Sequence, residues 1–267
     1  MNLRIIEQYV EGKLSNELCE DVVHVSENFV AIIDGATSFA SYEQGRAPGK
    51  VISELIDQYL PKISKELSSR LFAKELSEAV SGALSDIFGS GDEKPTASLI
   101  IYSAFHSEIW VLGDGWVRTQ REVQRFTIPY ADAYTQLRCA YLQALIRDGC
   151  SVDALLEEDP SIELILPFIR IQKSIQNRLP SPHGYGVIDG HPSCANYIRT
   201  LRVEPGEEIV MASDGYPAIA DTLEEAESEL KRVIGRDPLM ISLYPQAKGV
   251  MKQSTELKPL GVVEFPV

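Results

Sequence analysis

Cysteine is scarce in this 267-residue sequence, and the four cysteines lie far apart without any Cys-x-x-Cys pair. This spacing excludes zinc fingers and argues against a disulfide framework, so we expect reduced thiols and a cytoplasmic location. Long apolar runs are also missing, since no stretch approaches the roughly 18 residues of a membrane helix. The first ten residues are interrupted by charges. We therefore expect neither a membrane span nor a secretion signal.

Positive charge is scarce as well, because 25 Lys and Arg residues accompany 39 Asp and Glu residues, which gives a formal net charge of -14. A chain with this balance is not attracted to the phosphate backbone of nucleic acids, so no nucleic acid partner is expected. Acidic side chains instead favour divalent cations, because oxygen-rich sites select Mg²⁺, Mn²⁺ or Ca²⁺ over softer metals.

Several familiar catalytic motifs are absent: a P-loop, a Gly-x-Ser-x-Gly elbow and a His-Glu-x-x-His pair. Their absence argues against P-loop nucleotide hydrolases, hydrolases with a serine elbow, and zinc proteases. Apolar residues make up 44% of the chain, which is enough to bury a core. Because no low-complexity linker or repeat divides the sequence, we expect one domain over residues 1–267, with a helical insertion at about 130–178.

Hydrophobic patterning predicts both strands and helices. Short apolar runs between turn residues predict strands at 29–33, 97–102, 109–112, 185–188, 197–203, 208–212 and 261–265. Helical spacing predicts helices at 51–60, 76–87, 130–178 and 222–234, and another near Leu239. Gly89 is expected to cap the second of these helices. The third is expected to break near Asp159-Pro160. Its apolar face is predicted from a set of residues with helical spacing: Leu137, Ala140, Tyr141, Ala144 and Leu145.

Three strand-like runs stop at Asp-Gly, at Asp34-Gly35, Asp114-Gly115 and Asp214-Gly215. An aspartate at a strand end is held rigidly, and the following glycine lets the backbone approach a ligand. If the three carboxylates converge, each pair repels by about 4 kcal/mol at ~4 Å and an effective dielectric of ~20. Two hard divalent cations would offset this repulsion and activate a water to attack a phosphoryl group. The alternative is that each Asp-Gly is a plain turn.

The order of these motifs resembles the protein phosphatase 2C type of metal-dependent serine/threonine phosphatases, in a divergent, bacterial-like form. The matching landmarks are Glu20-Asp21, Asp34-Gly35, Thr96-Ala97, Gly113-Asp114-Gly115 and residues 209–215. The resemblance covers most of the chain. It implies an α+β fold, a four-layer α-β-β-α sandwich in which helices flank two antiparallel sheets. It also implies hydrolysis of phosphoserine and phosphothreonine in a phosphoprotein substrate.

The resemblance also implies a metal site with two Mn²⁺ or Mg²⁺ ions and a third, looser one. The implied ligands are Asp34 bridging two ions, the Gly35 carbonyl on one, Asp214 on the other, Asp114 at the third, and Glu20 and Asp21 directly or through waters. Asp34 and Asp214 would thereby carry the catalytic role.

The sequence departs from the family pattern at three places. Asn16 stands where an arginine often binds the substrate phosphate, and Ala36 where a histidine often follows the first Asp-Gly. Lys258 occupies the place of the last metal-binding aspartate, and Glu256 is the nearest carboxylate that could substitute. A lysine ammonium cannot bind a cation. These departures support a second hypothesis, a phosphatase-like binding or regulatory protein with weakened catalysis.

Overall fold

Two antiparallel sheets form the centre of the protein. The computed structural model describes residues 3–10, 19–36, 48–89, 94–178 and 181–249, together with the backbone of 262–266. The strands in these ranges are β1 (Glu7–Tyr9), β2 (Asp21–Val25), β3 (Phe29–Ala36), β4 (Thr96–Ser103), β5 (Glu108–Leu112), β6 (Gly115–Arg118), β7 (Val123–Phe126), β8 (Arg199–Arg202), β9 (Glu208–Ala212) and β10 (Val262–Pro266). Sheet 1 has the order β1-β10-β9-β6-β7, and sheet 2 has the order β2-β3-β4-β5-β8.

Helices cover the outer faces of the sheets. Within the same ranges they are α1 (Pro48–Tyr59), α2 (Ser69–Phe88), α3 (Pro129–Arg147), α4 (Val152–Glu157), α5 (Ser161–Ile171) and α6 (Leu223–Arg236). Local signals set several of their ends. Gly89, at φ +75°, closes α2 as predicted. The side chain of Thr222 accepts a hydrogen bond from the Glu225 amide and begins α6.

Alternation along the strands divides the core into layers. In β3, Val30 and Ile32 pack between the two sheets with Met211 of β9, whereas Ala31 and Ile33 pack against α1 and α2. On the far side of sheet 1, Val210 and Ala212 pack against Ala226 of α6. Successive residues of a strand face opposite sides, so one strand serves both layers. This arrangement confirms the predicted four-layer α-β-β-α sandwich.

The segment after β7 is helical, and its core side differs from the predicted one. Leu137 and Tyr141 are 39% and 37% exposed, whereas Arg138 is fully buried. Arg138 donates hydrogen bonds to the carbonyl oxygens of Leu239 and Gln246, both at 3.0 Å, and pairs with Asp159 at 2.7 Å. The predicted apolar face of α3 was therefore wrong, because a buried charged residue with three hydrogen-bond partners occupies the inner side.

Three other sequence predictions need correction. Residues 185–188 form only isolated bridges, at Tyr185 and Ile188, rather than a strand. No helix forms near Leu239, where the segment folds back on the carboxylate of Asp237. Asp34 and Gly35 lie inside β3, which continues to Ala36, rather than in a turn after it. No helix in the described part of the chain is long and apolar enough to cross a membrane.

Candidate metal centre

A row of polar side chains crosses one end of sheet 2. Asp21 of β2 lies directly opposite Asp34 of β3, which in turn lies opposite Ser98 of β4. Residues opposite each other in antiparallel strands project to the same face. By alternation this face is the one that carries Ile32 and Ile100, the side of sheet 2 that packs on sheet 1. The row therefore begins where the apolar core between the sheets ends.

The Gly113-Asp114-Gly115 turn carries the chain from β5 in sheet 2 to β6 in sheet 1. Gly113 has φ +85°, and a Cβ there would lie 2.1 Å from Ser98 Oγ. Gly115 has φ +131°, and a Cβ there would lie 2.6 Å from Ile100 Cδ1. Both positions therefore require glycine. This close approach lets Ser98 Oγ donate a hydrogen bond to Asp114 Oδ1 at 2.5 Å, so Asp114 is tied to the polar row.

Asp214 follows β9 of sheet 1 and is half-buried. Its backbone oxygen accepts hydrogen bonds from Tyr244 Oη at 2.6 Å and Gln246 Nε2 at 3.3 Å. Burial, together with the negative charge of Asp214, raises the pKa of Asp114 to about 7, although the hydrogen bond from Ser98 opposes the rise. The two aspartates therefore lie near each other at the junction of the sheets. Two neighbouring carboxylates are ligands of the kind that a hard divalent cation prefers.

Two tyrosines that the sequence did not single out border this pair. Burial raises the pKa of Tyr134 in α3, and the charges of Asp114 and Asp214 add to the rise. The same causes, burial first, raise the pKa of Tyr244. Both tyrosines belong to segments that pack together, and neither segment is near the aspartates in sequence. A single sequence contains no signal for such a long-range contact.

Glu20 and Gly35 lie against α1 instead. Gly35 donates its amide to the Glu20 carbonyl at 3.2 Å, and a Cβ on Gly35 would lie 2.2 Å from the Gly49 oxygen. A Cβ on Gly49 would lie 2.6 Å from Glu20 Oε1. The Glu20 carboxylate thus contacts the first turn of α1, where the helix dipole favours negative charge.

Solved structures with the same architecture include a bacterial serine phosphatase, at 10% identity and a TM-score of 0.51, with 100% of this chain and 98% of that chain covered. The fold is that of the phosphatase 2C family. Also similar are the catalytic domain of the phosphatase PstP in complex with two manganese ions (13% identity, 99% and 97% covered, TM-score 0.49) and Stp1 from Staphylococcus aureus (11%, 100% and 96%, 0.49). No protein-family model and no curated protein matches the sequence. At these identities the likeness extends to the fold alone.

Within this phosphatase 2C fold, the predicted ligands form two pairs joined through Ser98, Asp21 with Asp34 and Asp114 with Asp214. Among the residues that the structure describes, no group of three or more His, Cys, Asp and Glu side chains is arranged to hold a metal ion. The positions of Asn16, Glu256 and Lys258 lie outside the described residues, so the predictions made for them stay predictions.

Proposed function

We propose that this protein is a metal-dependent phosphatase that hydrolyses phosphoserine and phosphothreonine in cytoplasmic proteins with Mn²⁺ or Mg²⁺. The observation that carries the proposal is the Asp114 and Asp214 pair at the junction of the sheets, continued by Asp34 and Asp21. The two carboxylate pairs lie at one end of the sandwich, and the members of each pair repel each other unless a cation lies between them. The phosphatase 2C fold supports the same reaction class.

The proposed ligands are the four aspartates, with the Gly35 carbonyl and Glu20 as further candidates and two ions, or three, per chain. When bound, such ions supply a nucleophile from water at neutral pH and neutralise charge on the phosphoryl group. In this proposal Asp34 and Asp214 would hold the ions that activate the attacking water. Ser98 holds the Asp114 carboxylate, and Tyr244 holds the backbone of Asp214. Because Ala36 cannot donate a proton, water or another residue would protonate the leaving group.

Hydrolysis of p-nitrophenyl phosphate with and without Mn²⁺ tests the proposal. EDTA should abolish turnover, and Asp34→Asn or Asp214→Asn should lower kcat/KM at least 100-fold, a loss of about 2.7 kcal/mol of transition-state stabilisation. Asp148→Asn is the matched control, because this exposed residue follows α3, about 20 Å along the helix from Tyr134. Turnover that survives both EDTA and the two substitutions would exclude a metal-dependent mechanism.

Thermal unfolding gives a second readout that needs no catalysis. A ligand present at ~100 times its Kd stabilises the folded state by about 2.7 kcal/mol. Mn²⁺ should therefore raise the Tm of the wild type and of Asp148→Asn by several degrees. The same addition should leave the Tm of Asp214→Asn nearly unchanged. An equal rise in all three proteins would place the ion elsewhere.

A second candidate function is a binding or regulatory protein that retains the phosphatase fold with weakened catalysis. Three sequence positions favour it: Asn16, Ala36 and Lys258, where the family pattern has an arginine, a histidine and an aspartate. Titration calorimetry with Mn²⁺ distinguishes the two candidates. Binding of two ions per chain at micromolar Kd, about -8 kcal/mol each, would favour the phosphatase. Absence of binding would favour the regulatory protein.

A further inference from the structure

The two arginines that follow Asp114 most closely are engaged with carboxylates. Arg118 pairs with Asp221 and lies 3.8 Å from Glu208. Arg121 pairs with the buried carboxylate of Glu207 at 3.2 Å. Their positive charges are therefore largely compensated within the protein, which leaves them poorly suited to bind an anionic substrate.

Arg125 has a different environment. It is exposed and lies in β7, opposite Trp116 of β6. Its guanidinium carbon lies 5.4 Å from the centre of the Trp116 ring and 4.9 Å from the centre of the Tyr244 ring. Among the described residues, no carboxylate lies within ion-pair distance of it. Two aromatic faces thus hold this cation while its charge remains uncompensated.

Both rings are anchored to the aspartate turns. Trp116 lies two residues after Asp114, and its Nε1 donates a hydrogen bond at 3.0 Å to the backbone oxygen of Tyr216, two residues after Asp214. Tyr244 Oη donates to the backbone oxygen of Asp214 itself. The position of the guanidinium is therefore coupled to the same turns that hold the carboxylates. Tyr244 thus contacts both the guanidinium of Arg125 and the backbone of Asp214.

We propose that Arg125, which lies on the outer face of sheet 1 beside the Asp214 turn, binds the phosphoryl oxygens of the anionic substrate at that edge of the metal centre. A guanidinium that stacks on aromatic rings keeps its N–H edge available, and this edge matches two phosphate oxygens in a bidentate contact. The chain has a net charge of -14, and the centre itself is acidic, so a phosphate ester needs a local cation to approach. Arg125 would provide that cation, because the position of the family's phosphate-binding arginine is occupied by asparagine in this sequence. The inference rests on the proposed function.

Binding of inorganic phosphate to the full chain in the presence of Mn²⁺ tests this role. The binding is measured by calorimetry and by tryptophan fluorescence, since Trp116 lies beneath the guanidinium. Arg125→Gln should weaken phosphate binding roughly 10- to 100-fold, the range for a lost charge-assisted hydrogen bond. The phosphate affinity of Arg125→Lys should lie between those of the wild type and Arg125→Gln, because lysine keeps the charge and loses the planar fork. Arg70→Gln should bind like the wild type. Arg70 is exposed near the start of α2, where Phe72 packs on Phe29, at the other end of β3 from Asp34.

Kinetics separates this inference from the proposed function. If the protein is an active phosphatase, Arg125→Gln should raise KM and the inhibition constant of phosphate more than it lowers kcat. If turnover is absent but phosphate binding still depends on Arg125, the binding role stands and the phosphatase proposal fails. Equal phosphate binding by the wild type, Arg125→Gln and Arg70→Gln would overturn the inference, and so would failure of the wild type to bind phosphate.

Discussion

Replacing Arg138 with methionine is expected to destabilise the fold by about 4 kcal/mol. Arg138 is fully buried in α3 and connects two distant parts of the chain. Its guanidinium pairs with Asp159 at the start of α5 and donates to the carbonyl oxygens of Leu239 and Gln246. Methionine has a similar length and is apolar, so the substitution removes the charge and its hydrogen bonds while it retains most of the packing.

The magnitude follows from the groups left behind. Removal of one partner from a buried ion pair costs about 3–5 kcal/mol, because the remaining charge stays buried, and Asp159 is only 6% exposed. The two carbonyl oxygens lose their partners at about 1 kcal/mol each or more. Burial of the methionine side chain returns about 2 kcal/mol. The last two effects nearly cancel, which leaves the cost of the broken ion pair.

Urea unfolding at pH 7 measures the effect. In thermal unfolding, a chain of this size loses about 2–4 °C per kcal/mol, so the Tm should fall by roughly 8–16 °C. Arg138→Lys should lose less, since an ammonium can still pair with Asp159. Arg70→Met is the control, because substitution of an exposed arginine changes stability by no more than about 0.5 kcal/mol. A loss below about 1 kcal/mol for Arg138→Met would refute the reasoning.

Two further substitutions test the turn and a buried carboxylate. Gly113→Ala should cost at least about 2 kcal/mol, because alanine at φ +85° is strained and its Cβ would overlap Ser98, whereas Gly82→Ala in α2, with open space around it, should stabilise slightly. Burial opposes ionisation of Glu207, but hydrogen bonds from backbone amides and Arg121 outweigh it and lower the pKa below the ordinary 4.5. The wild type should therefore exceed Glu207→Gln in unfolding free energy by about 1–2 kcal/mol at pH 7, and the difference, measured in urea, should shrink below about pH 4.5 as the folded-state carboxylate is protonated.

The fold was predictable where the local pattern and the tertiary structure agree. β9 falls on the predicted run at 208–212, because a strand buried on both faces is apolar throughout. β2 escaped prediction, because buried His24 interrupts its apolar pattern and is satisfied by Asp57 and Ser26. Residues 185–188 gave the apolar pattern of a strand, and they are buried in the structure. A buried apolar segment does not need a partner strand, so the pattern alone could not distinguish the two cases.

Parts of the candidate site gave a local signal in the sequence, whereas the arrangement of its residues gave none. The Asp114 turn was recognisable because two obligatory glycines flank the aspartate. The Asp34-Gly35 pair gave the same signal for another reason, since Gly35 lies inside a strand and makes room for α1. Arg125 gave no local signal, because its aromatic neighbours come from another strand and from a segment far along the chain.

The order of strands in sheet 1 constrains how the protein can reach this structure. β10 lies between β1 and β9, so that residue 7 pairs with residue 264. On a ribosome, β6, β7 and β9 can pair as soon as they emerge, but β1, whose one neighbour among the described strands is β10, cannot pair with it until β10 has been made. Contacts between such distant positions slow folding, because a long chain must close first. An unpaired β1 would meanwhile present open backbone groups to other chains, so assembly of this protein depends on protecting its earliest strand until its latest one arrives.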